Sequence, residues 1–304
     1  MGTAMESKFS YIVSEKDGEL LIKGLLKHKL GFSSRLMRKL KVEGGVYLNG
    51  KPARLTAAVH AGDTVSVRFP DEGSDFPSQD IPIYPVYEDD DLLVINKQPG
   101  IVVHPTKGHP VGTIANGLMN YMEKTGQSFK IRFVNRLDMH TSGLLIIAKN
   151  SFSQDELSRQ MAAGTVIKEY VAVVRGIVEN DSGTIDLPID RAQFGDVKRV
   201  VKEDGYPSVT HYKVLRRFGS GYTLVSLRLD SGRTHQIRVH MEHIGHPVVG
   251  DSLYGKEEIL LIERQALHAR YLSFDHPVSG NRLEIEAELP DDMRELVRRI
   301  GGGS

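Results

Sequence analysis

The stretch that most constrains this chain is a polar segment that runs directly into an apolar one, at residues 134–149. Its sequence is VNRLDMHTSGLLIIAK. The run Leu144–Ala148 is apolar at every position, which predicts a short, fully buried strand, and the Thr-Ser-Gly before it predicts a turn. A buried strand fixes the position of the loop that leads into it. Asp138 and Arg136 in that loop are therefore candidates for a functional site.

The ordinary interpretation of an arginine two residues before an aspartate is a surface ion pair, which contributes little to stability. Short motifs of this kind also arise by chance. The residues alone therefore leave both a structural and a catalytic role open for Asp138.

Composition narrows the class of protein. A chain of 304 residues predicts about two domains, at roughly 150 residues per domain, and 40% hydrophobic residues are enough for a sizeable core. Lys+Arg and Asp+Glu both number 39, which argues against a protein that coats nucleic acid indiscriminately but allows a local basic face. The absence of cysteine excludes disulfides, thiolate catalysis and cysteine-based zinc sites.

Targeting signals are not found in the sequence. No apolar run approaches the ~20 residues of a membrane span, and the first ten residues lack the apolar core of a signal peptide. We therefore expect no membrane partner and a cytoplasmic location, with which the lack of cysteine is compatible.

Polar segments divide the chain into five parts. The linker is assigned from its Pro, Gly, Ser and acidic residues, and the closing Gly-Gly-Gly-Ser is typical of a mobile end. The predicted parts are an N-terminal tail at 1–10, a small domain at 11–70, a linker at 71–82, a large domain at 83–300 and a flexible tail at 301–304.

The small domain carries a run of positive charge, with no acidic residue between Glu19 and Glu43. Leucine spacing predicts two short amphipathic helices with a break at Gly31, and Asn49-Gly50 predicts a β-hairpin. Charge runs are usually solvated helix faces. Here the charge has one sign and lies on a compact unit, which indicates binding to a phosphate backbone. The candidate RNA-contacting residues of this unit are Lys27, Arg35, Arg38, Lys39 and Lys41.

The large domain reads as an α+β fold. Leu92–Asn96 predicts a second buried strand, and Val166–Gly176, apolar on both faces, predicts a central strand with Tyr170 at its middle. The ordinary interpretation of such a tyrosine is a half-buried sheet residue. Helices are predicted at 113–124, 153–163 and 291–300, and further strands at 209–217, 222–229, 268–274 and 282–288.

The turn-rich segment at 177–205 is a candidate RNA-contacting loop, although solvated charge is the ordinary interpretation. Its positive side chains are Arg191, Lys198, Arg199 and Lys202.

A zinc site is one interpretation of four crowded histidines, His235, His240, His243 and His246. Only His240 and His243 share a helical face, and no acidic or cysteine ligand completes a set. We therefore expect no metal and no cofactor.

The sequence at 134–149 resembles the H-R-L-D-x-x-T-S-G-L-L-L-x-A-K signature of the RluA-type pseudouridine synthases. One departure is visible: Asn135 stands where the family usually has histidine, which leaves Asp138 in place but puts the support of the loop or the preference among RNAs in doubt. Three further segments resemble the family in the same order. They are 96–104 (NKQPGIVVH), 168–172 (KEYVA) and 229–251 (LDSGRTHQIRVHMEHIGHPVVGD).

The resemblance implies a catalytic domain built on a mixed, mainly antiparallel sheet, and the small domain resembles the alpha-L RNA-binding domain of the S-four ribosomal protein type. It implies an RNA pseudouridine synthase, an isomerase. Such an enzyme breaks the bond from uracil nitrogen 1 to ribose, turns the base and rejoins it through carbon 5.

The resemblance also implies roles for single residues. Asp138 is the catalytic aspartate, Arg238 pairs with it, and Tyr170 stacks on the target base. Arg136 fills the gap that the extruded uridine leaves in the RNA. A positive partner such as Arg238 favours the ionised form of a carboxylate. Lys97 is a candidate phosphate contact, although a solvated lysine is the ordinary interpretation.

Ribosomal RNA is the expected substrate, by resemblance to family members with the same N-terminal module, and transfer RNA stays open. A second hypothesis is a non-catalytic RNA-binding or ribosome-assembly protein that uses the basic module alone. The intact set of Asp138, Tyr170 and Arg238 argues against it. An unrelated hydrolase would need a second catalytic carboxylate or a metal set, and the sequence offers neither.

Overall fold

The structure is a computed structural model, and it describes residues 8–18, 20–69, 72–193, 195–255 and 261–302. These residues pack into a small N-terminal unit with one hydrophobic core and a large unit built on a single ten-stranded sheet. No helix in the described residues is long and apolar enough to cross a membrane.

The small unit is a four-stranded antiparallel sheet covered by a pair of helical segments. Its strands are β1 (Lys8–Ile12), β2 (Leu20–Leu21), β3 (Val46–Leu48), β4 (Lys51–Pro52), β5 (Ala58–Val59) and β6 (Thr64–Arg68). Its helical segments are a 3₁₀ turn (Glu15–Asp17), α1 (Ile22–Gly24), a π-helical turn that continues it (Leu25–Lys29) and α2 (Ser34–Glu43). The sheet order is β1-β6-β3-β4, with β2 paired to β5 apart from it.

In this unit one sequence prediction is confirmed and one is wrong. The hairpin is confirmed: Asn49 and Gly50 have φ of 51° and 77° between β3 and β4, as a tight two-residue turn requires. The N-terminal tail is wrong for residues 8–10, because they belong to β1, which pairs with β6 from Lys8 onward. Residues 1–7 lie outside the described residues.

The large unit contains twelve further strands in the described residues. They are β7 (Pro85–Glu88), β8 (Leu92–Lys97), β9 (Arg132–Phe133), β10 (Ser142–Ala148), β11 (Ile167–Arg175), β12 (Ser182–Asp186), β13 (Ile189–Arg191), β14 (Arg199–Val201), β15 (Val209–Phe218), β16 (Tyr222–Leu229), β17 (Leu267–Asp275) and β18 (Arg282–Glu286). The helices are α3 (Ile114–Thr125), α4 (Ser151–Ala162), α5 (Gln236–His243) and α6 (Asp291–Ile300). The predicted strands and helices are thus present, although α4 begins earlier than predicted, capped by Asn150.

The order of the main sheet is β12-β15-β16-β11-β17-β10-β8-β7, with β18 added to β17 and β9 to β10. Among the described strand pairs, β10 and β17 alone run parallel, so the sheet is mixed and mainly antiparallel, as expected. Every residue of β10 is buried, because successive side chains enter the hydrophobic cores on opposite faces.

Specific contacts stabilise the parallel pairing of β10 with β17. Ser142 Oγ lies 2.9 Å from His268 Nδ1, and burial lowers the pKa of His268 to about 4, so the ring is neutral. Gly143 has φ of 112°, and a Cβ there would lie 2.2 Å from the Ala269 carbonyl oxygen. Only glycine therefore fits where the strand emerges from the loop that carries Asp138.

The segment predicted as a linker lies along the large unit. Residues 72–82 contain no helix or strand, but Phe76 packs against the main core. Glu72 accepts a hydrogen bond of 2.8 Å from Lys39 and pairs with Arg132, so it joins the two units. The packing of this segment therefore holds the two units together.

An aromatic cluster forms a second contact between the units. Phe152, on α4, is buried against Phe9, Phe32 and Phe69 of the small unit, with ring centroids at 5.3, 4.6 and 5.7 Å. Buried aromatic pairs of this kind contribute ~0.5–1.5 kcal/mol each beyond the area that they bury. The small unit is therefore held in one position beside the main sheet.

At the C-terminus, α6 ends at Ile300 and is followed by a turn at residues 301–302. The last two residues of the predicted flexible tail, 303–304, lie outside the described residues.

Candidate active site

Asp138 lies in the loop between β9 and β10, with its side chain 20% exposed. Its carbonyl accepts a hydrogen bond of 3.1 Å from the Thr141 amide, which closes a turn. Asn135 fixes the start of this loop: its Oδ1 accepts from the Ile146 amide at 2.8 Å and its Nδ2 donates to the Leu144 carbonyl at 3.2 Å. The residue that departs from the family signature thus ties the loop to β10.

A buried lysine holds the next carbonyl of the loop. The Lys97 side chain has no exposed surface, and its Nζ donates to the carbonyls of Met139, Gln98 and Ile101 at 3.0, 2.8 and 2.9 Å. Burial, followed by the charge of Arg264, lowers the pKa of Lys97 to about 7. The prediction that Lys97 contacts RNA phosphate is wrong, because all three of its donor positions are directed into the protein.

An arginine from outside the recognised motifs holds the following carbonyl. Arg264 Nη1 donates to the His140 carbonyl at 3.1 Å. The same guanidinium makes a bidentate ion pair with Asp292, at the start of α6. Its Nε lies 2.6 Å from Oδ2 and its Nη2 lies 2.8 Å from Oδ1. The C-terminal helix therefore anchors the loop that carries Asp138.

The predicted pairing of Arg238 with Asp138 is present. Arg238 Nη1 lies 3.0 Å from Asp138 Oδ2, and the other edge of the guanidinium binds both oxygens of Asp251, at 2.6 and 2.8 Å. Burial alone would lower the pKa of Arg238, but Asp251 and Asp138 outweigh it and hold the pKa above its usual value. Asp138 thus faces a fixed positive charge.

Asp251, which sequence reasoning did not single out as a site residue, is fixed in turn. It is buried, and its Oδ1 also accepts hydrogen bonds from the amides of Leu253 and Tyr254, at 3.0 and 3.1 Å. The carboxylate therefore has little freedom to follow Arg238 if that side chain moves.

A histidine and a tyrosine complete the surroundings of the carboxylate. His235 Nε2 lies 3.9 Å from Asp138 Oδ2, and His235 Nδ1 lies 3.0 Å from the Tyr254 hydroxyl. That hydroxyl also accepts a hydrogen bond from the Arg199 amide at 2.7 Å. Burial lowers the pKa of His235 and raises that of Tyr254 to about 12.

Tyr170 projects from β11 two strands away from the loop. It is opposite Ala269 of β17, which in turn is opposite Gly143 of β10. Its side chain is buried, and burial, with the charge of Asp138, raises the pKa of Tyr170 well above its usual value. The hydroxyl is therefore protonated at neutral pH.

A cleft of about 1240 Å³ runs from Tyr170 to the small unit. Arg136 and Leu137, which precede Asp138 in the sequence, line it, and the Arg136 side chain is exposed. Of the predicted RNA-contacting residues of the small unit, Arg35 and Lys39 line the cleft. The positive side chains that line it are Arg35, Lys39, Lys130, Arg132, Arg136, Lys168 and Arg233.

The crowded histidines are engaged in the fold. His240 lies 2.8 Å from Thr210 Oγ1 and 2.9 Å from the Leu187 carbonyl, and His246 lies 2.9 Å from the Arg175 carbonyl. These contacts account for both rings without a metal ligand role.

A separate group of possible metal ligands is formed by Asp89, Asp91 and His276. Its carboxylates are engaged: His276 Nε2 lies 2.8 Å from Asp89, and Asn150 donates to Asp91 at 2.7 Å. These contacts are sufficient to explain the group structurally.

Comparison with known proteins agrees with this geometry. Residues 91–243 match the family described as RNA pseudouridylate synthase. The RNA pseudouridine synthase YlyB of Bacillus subtilis (strain 168) is 41% identical, over 94% of this chain and 95% of its own length. The ribosomal large subunit pseudouridine synthase D of Xanthomonas campestris pv. campestris is 40% identical, over 88% of this chain and 84% of its own length.

A solved structure agrees in fold. Human RNA pseudouridylate synthase domain containing 1 superposes with a TM-score of 0.58 at 27% identity, over 74% of this chain and 97% of its own length. The chain therefore belongs to the RNA pseudouridylate synthase family, with the signature of its RluA-type members, and is an isomerase that acts on RNA.

Proposed function

We propose that this protein converts specific uridines of ribosomal RNA to pseudouridine, with Asp138 as the catalytic carboxylate. The observation that carries the proposal is the ionic contact of 3.0 Å between Asp138 and Arg238. Asp138 follows directly in sequence on Arg136 and Leu137, which line a cleft that also carries six other positive side chains. Ribosomal rather than transfer RNA is favoured because relatives such as the synthase D of Xanthomonas campestris are named for the large ribosomal subunit. With such a substrate the protein would act in the cytoplasm.

The chemistry uses a carboxylate beside the reacting nucleotide. When the bond from uracil nitrogen 1 to ribose breaks, positive charge builds at the sugar carbon, and a nearby carboxylate stabilises or traps that centre, as in glycoside hydrolysis. The released uracil stays bound, turns and bonds to the same sugar carbon through its carbon 5, which then loses its proton. Attack on the sugar, attack on the base and removal of a sugar proton all use the Asp138 carboxylate, and Arg238 places a positive charge 3.0 Å from it.

Tyr170 is proposed to pack against the flipped uracil. Its ring lines the cleft, and its hydroxyl is held in the protonated form by burial and by the charge of Asp138. A protonated hydroxyl beside the base can accept the proton that leaves carbon 5 while it donates its own proton to a water molecule in the cleft. This relay is a second part of the proposal and can be separated from stacking by mutation.

Arg136 is proposed to enter the RNA where the uridine leaves it. Extrusion of a stacked base costs a few kcal/mol, and a planar guanidinium can both stack on the neighbouring bases and bind phosphate. The exposed side chain of Arg136 on the cleft wall has the position that this role requires.

The small unit is proposed to bind the RNA on the other side of the cleft. Arg35 faces the cleft, and Lys27, Arg38 and Lys41 are exposed on the same unit. Lys39 contributes less, because it is already paired with Glu72 at 2.8 Å. Since the two units are packed together, an RNA that binds both does not have to order a flexible connection first.

The experiment that tests the substrate is tritium release from uridine labelled at carbon 5, in ribosomal RNA and in transfer RNA from cells that lack this enzyme. We expect release from the ribosomal fraction. Release from transfer RNA alone would overturn the ribosomal assignment. No release from either, with RNA binding intact, would favour the alternative of an RNA-binding or ribosome-assembly protein.

A further inference from the structure

An exposed aromatic ring lies beside the hairpin β13–β14. The Tyr206 side chain is 60% exposed, but its backbone is held on both sides: its amide donates to the Ile189 carbonyl at 3.0 Å, and its carbonyl accepts from the Ile189 amide at 3.0 Å and from Ser208 Oγ at 2.9 Å. The ring therefore projects into solvent from a fixed point of the fold.

A planar cation lies next to this ring. The guanidinium carbon of Arg233 is 5.3 Å from the Tyr206 ring centroid, and Arg233 Nε donates to the Pro207 carbonyl at 3.3 Å. Arg233 also lines the cleft that contains Tyr170. Arg233 thus connects the exposed ring to the wall of the cleft.

Two positive side chains adjoin this surface, and Glu203 and Asp204 are exposed just before Tyr206 in the sequence. Lys168 and Arg233 line the adjoining part of the cleft. Asp230 also lines the cleft next to Arg233. Its carboxylate lies 2.8 Å from His211 Nε2. An aromatic face beside a cation is the combination by which proteins bind unpaired nucleotides, with the base on the ring and the phosphate near the charge.

We propose that Tyr206 and Arg233 form a stacking site for one unpaired RNA nucleotide close to the target uridine. This inference rests on the proposed function, in that RNA must occupy the cleft. A fixed, exposed ring binds a base without having to be ordered first, so the site would help to hold the strand while the uridine is extruded. It would act on the affinity for RNA and leave the chemical step unchanged.

The chain has no tryptophan, so Tyr206→Trp introduces a single indole at the proposed site. Titration with total ribosomal RNA should quench its emission, because a stacked base quenches indole fluorescence. Inorganic polyphosphate, which has the charge but no bases, should not. The matched control is Tyr84→Trp, since Tyr84 is 52% exposed and is not among the residues lining the cleft; its emission should not change with RNA.

A second measurement uses turnover. Tyr206→Ala should raise KM for ribosomal RNA about tenfold, the loss expected for one stacked base, with kcat within about twofold of wild type. Tyr206→Phe keeps the ring and should behave as wild type. A wild-type KM for Tyr206→Ala, or equal quenching by RNA and polyphosphate, would overturn the stacking site.

The two proposals fail in different ways. If RNA binds the Tyr206→Trp protein and its emission does not change, the stacking site is wrong and the proposed function is untouched. If ribosomal RNA does not bind the wild-type protein, both are wrong.

Discussion

Arg238 contacts Asp138 with one nitrogen at 3.0 Å, and this contact uses only one edge of the guanidinium. The other edge is bound at both nitrogens by the buried Asp251. A guanidinium held in this way cannot rotate away from Asp138 without breaking two ion-pair contacts, so the direction of the charge is fixed before the substrate arrives.

Changes to Arg238 and Asp251 test this arrangement. Arg238→Met leaves Asp138 without its positive partner, and we expect loss of turnover. Asp251→Asn leaves the Arg238 charge in place but releases its orientation. We expect kcat to fall by about 10²-fold, the cost of misplacing a catalytic group by about 1 Å. Tritium release under saturating RNA measures both. Wild-type turnover in Arg238→Met would contradict the role of the ion pair.

The proposed role of the Tyr170 hydroxyl is tested by Tyr170→Phe. The ring is kept, so RNA affinity should be retained, whereas loss of the hydroxyl should slow turnover by about 10²-fold or more if it relays the proton from carbon 5. Filter binding measures the affinity and tritium release the turnover. Full turnover would show that the relay is wrong and would leave the stacking role in place.

The link from α6 to the active-site loop predicts a remote effect. Arg264→Met removes the donor to the His140 carbonyl and leaves Asp292 without its partner. We expect kcat to fall with little change in KM for RNA, and unfolding free energy to fall by on the order of 2 kcal/mol. Activity assays and urea unfolding measure the two effects.

A control for this prediction lies on the same helix. Arg294 pairs with Asp291 on the surface, and Arg294→Met should change the free energy of unfolding by less than about 0.5 kcal/mol. If Arg264→Met and Arg294→Met lose kcat equally, the loss does not come from the contact between Arg264 and the His140 carbonyl.

Lys97 predicts a pH dependence of stability. Its pKa is lowered to about 7 in the folded protein from an ordinary 10.5, chiefly by burial. Between about pH 7 and 10.5 the unfolded state therefore binds more protons, and the contribution of Lys97 to the free energy of unfolding rises with pH, by up to about 1.4 kcal/mol per unit. Below about pH 7 lysine is protonated in both states and this dependence ends.

Urea unfolding of wild type and of Lys97→Met across this pH range measures the contribution, because other titrating groups are common to both proteins. The wild-type curve should rise relative to the variant as pH increases. Parallel curves would show that Lys97 has the same pKa folded and unfolded.

Local patterns in the sequence predicted the elements well. The uninterrupted apolar run in β10 and the two-sided apolar pattern of β11 are typical of a buried strand, and both segments are strands in the structure. The Asn49-Gly50 turn was predictable because few residues adopt its backbone angles. The packing of the segment at 72–82 was harder to predict, since a polar segment that packs along a protein surface and a free linker have the same composition.

The site was predictable only in part. Family motifs indicated Asp138, Tyr170 and Arg238 as candidates, but Arg264 contacts the loop across 124 residues of sequence, which no periodicity can indicate. Lys97 was misread because a lysine after a strand is usually solvated, and only the folded structure places three carbonyls around it.

The Asp138 carboxylate is proposed to carry the chemistry. Asp138→Asn keeps the size of the side chain and removes its charge, so the fold and RNA affinity should be retained. Single-turnover tritium release from labelled ribosomal RNA, with RNA binding measured in parallel, tests it most directly. We predict that release becomes undetectable while RNA still binds; release at the wild-type rate would contradict the account.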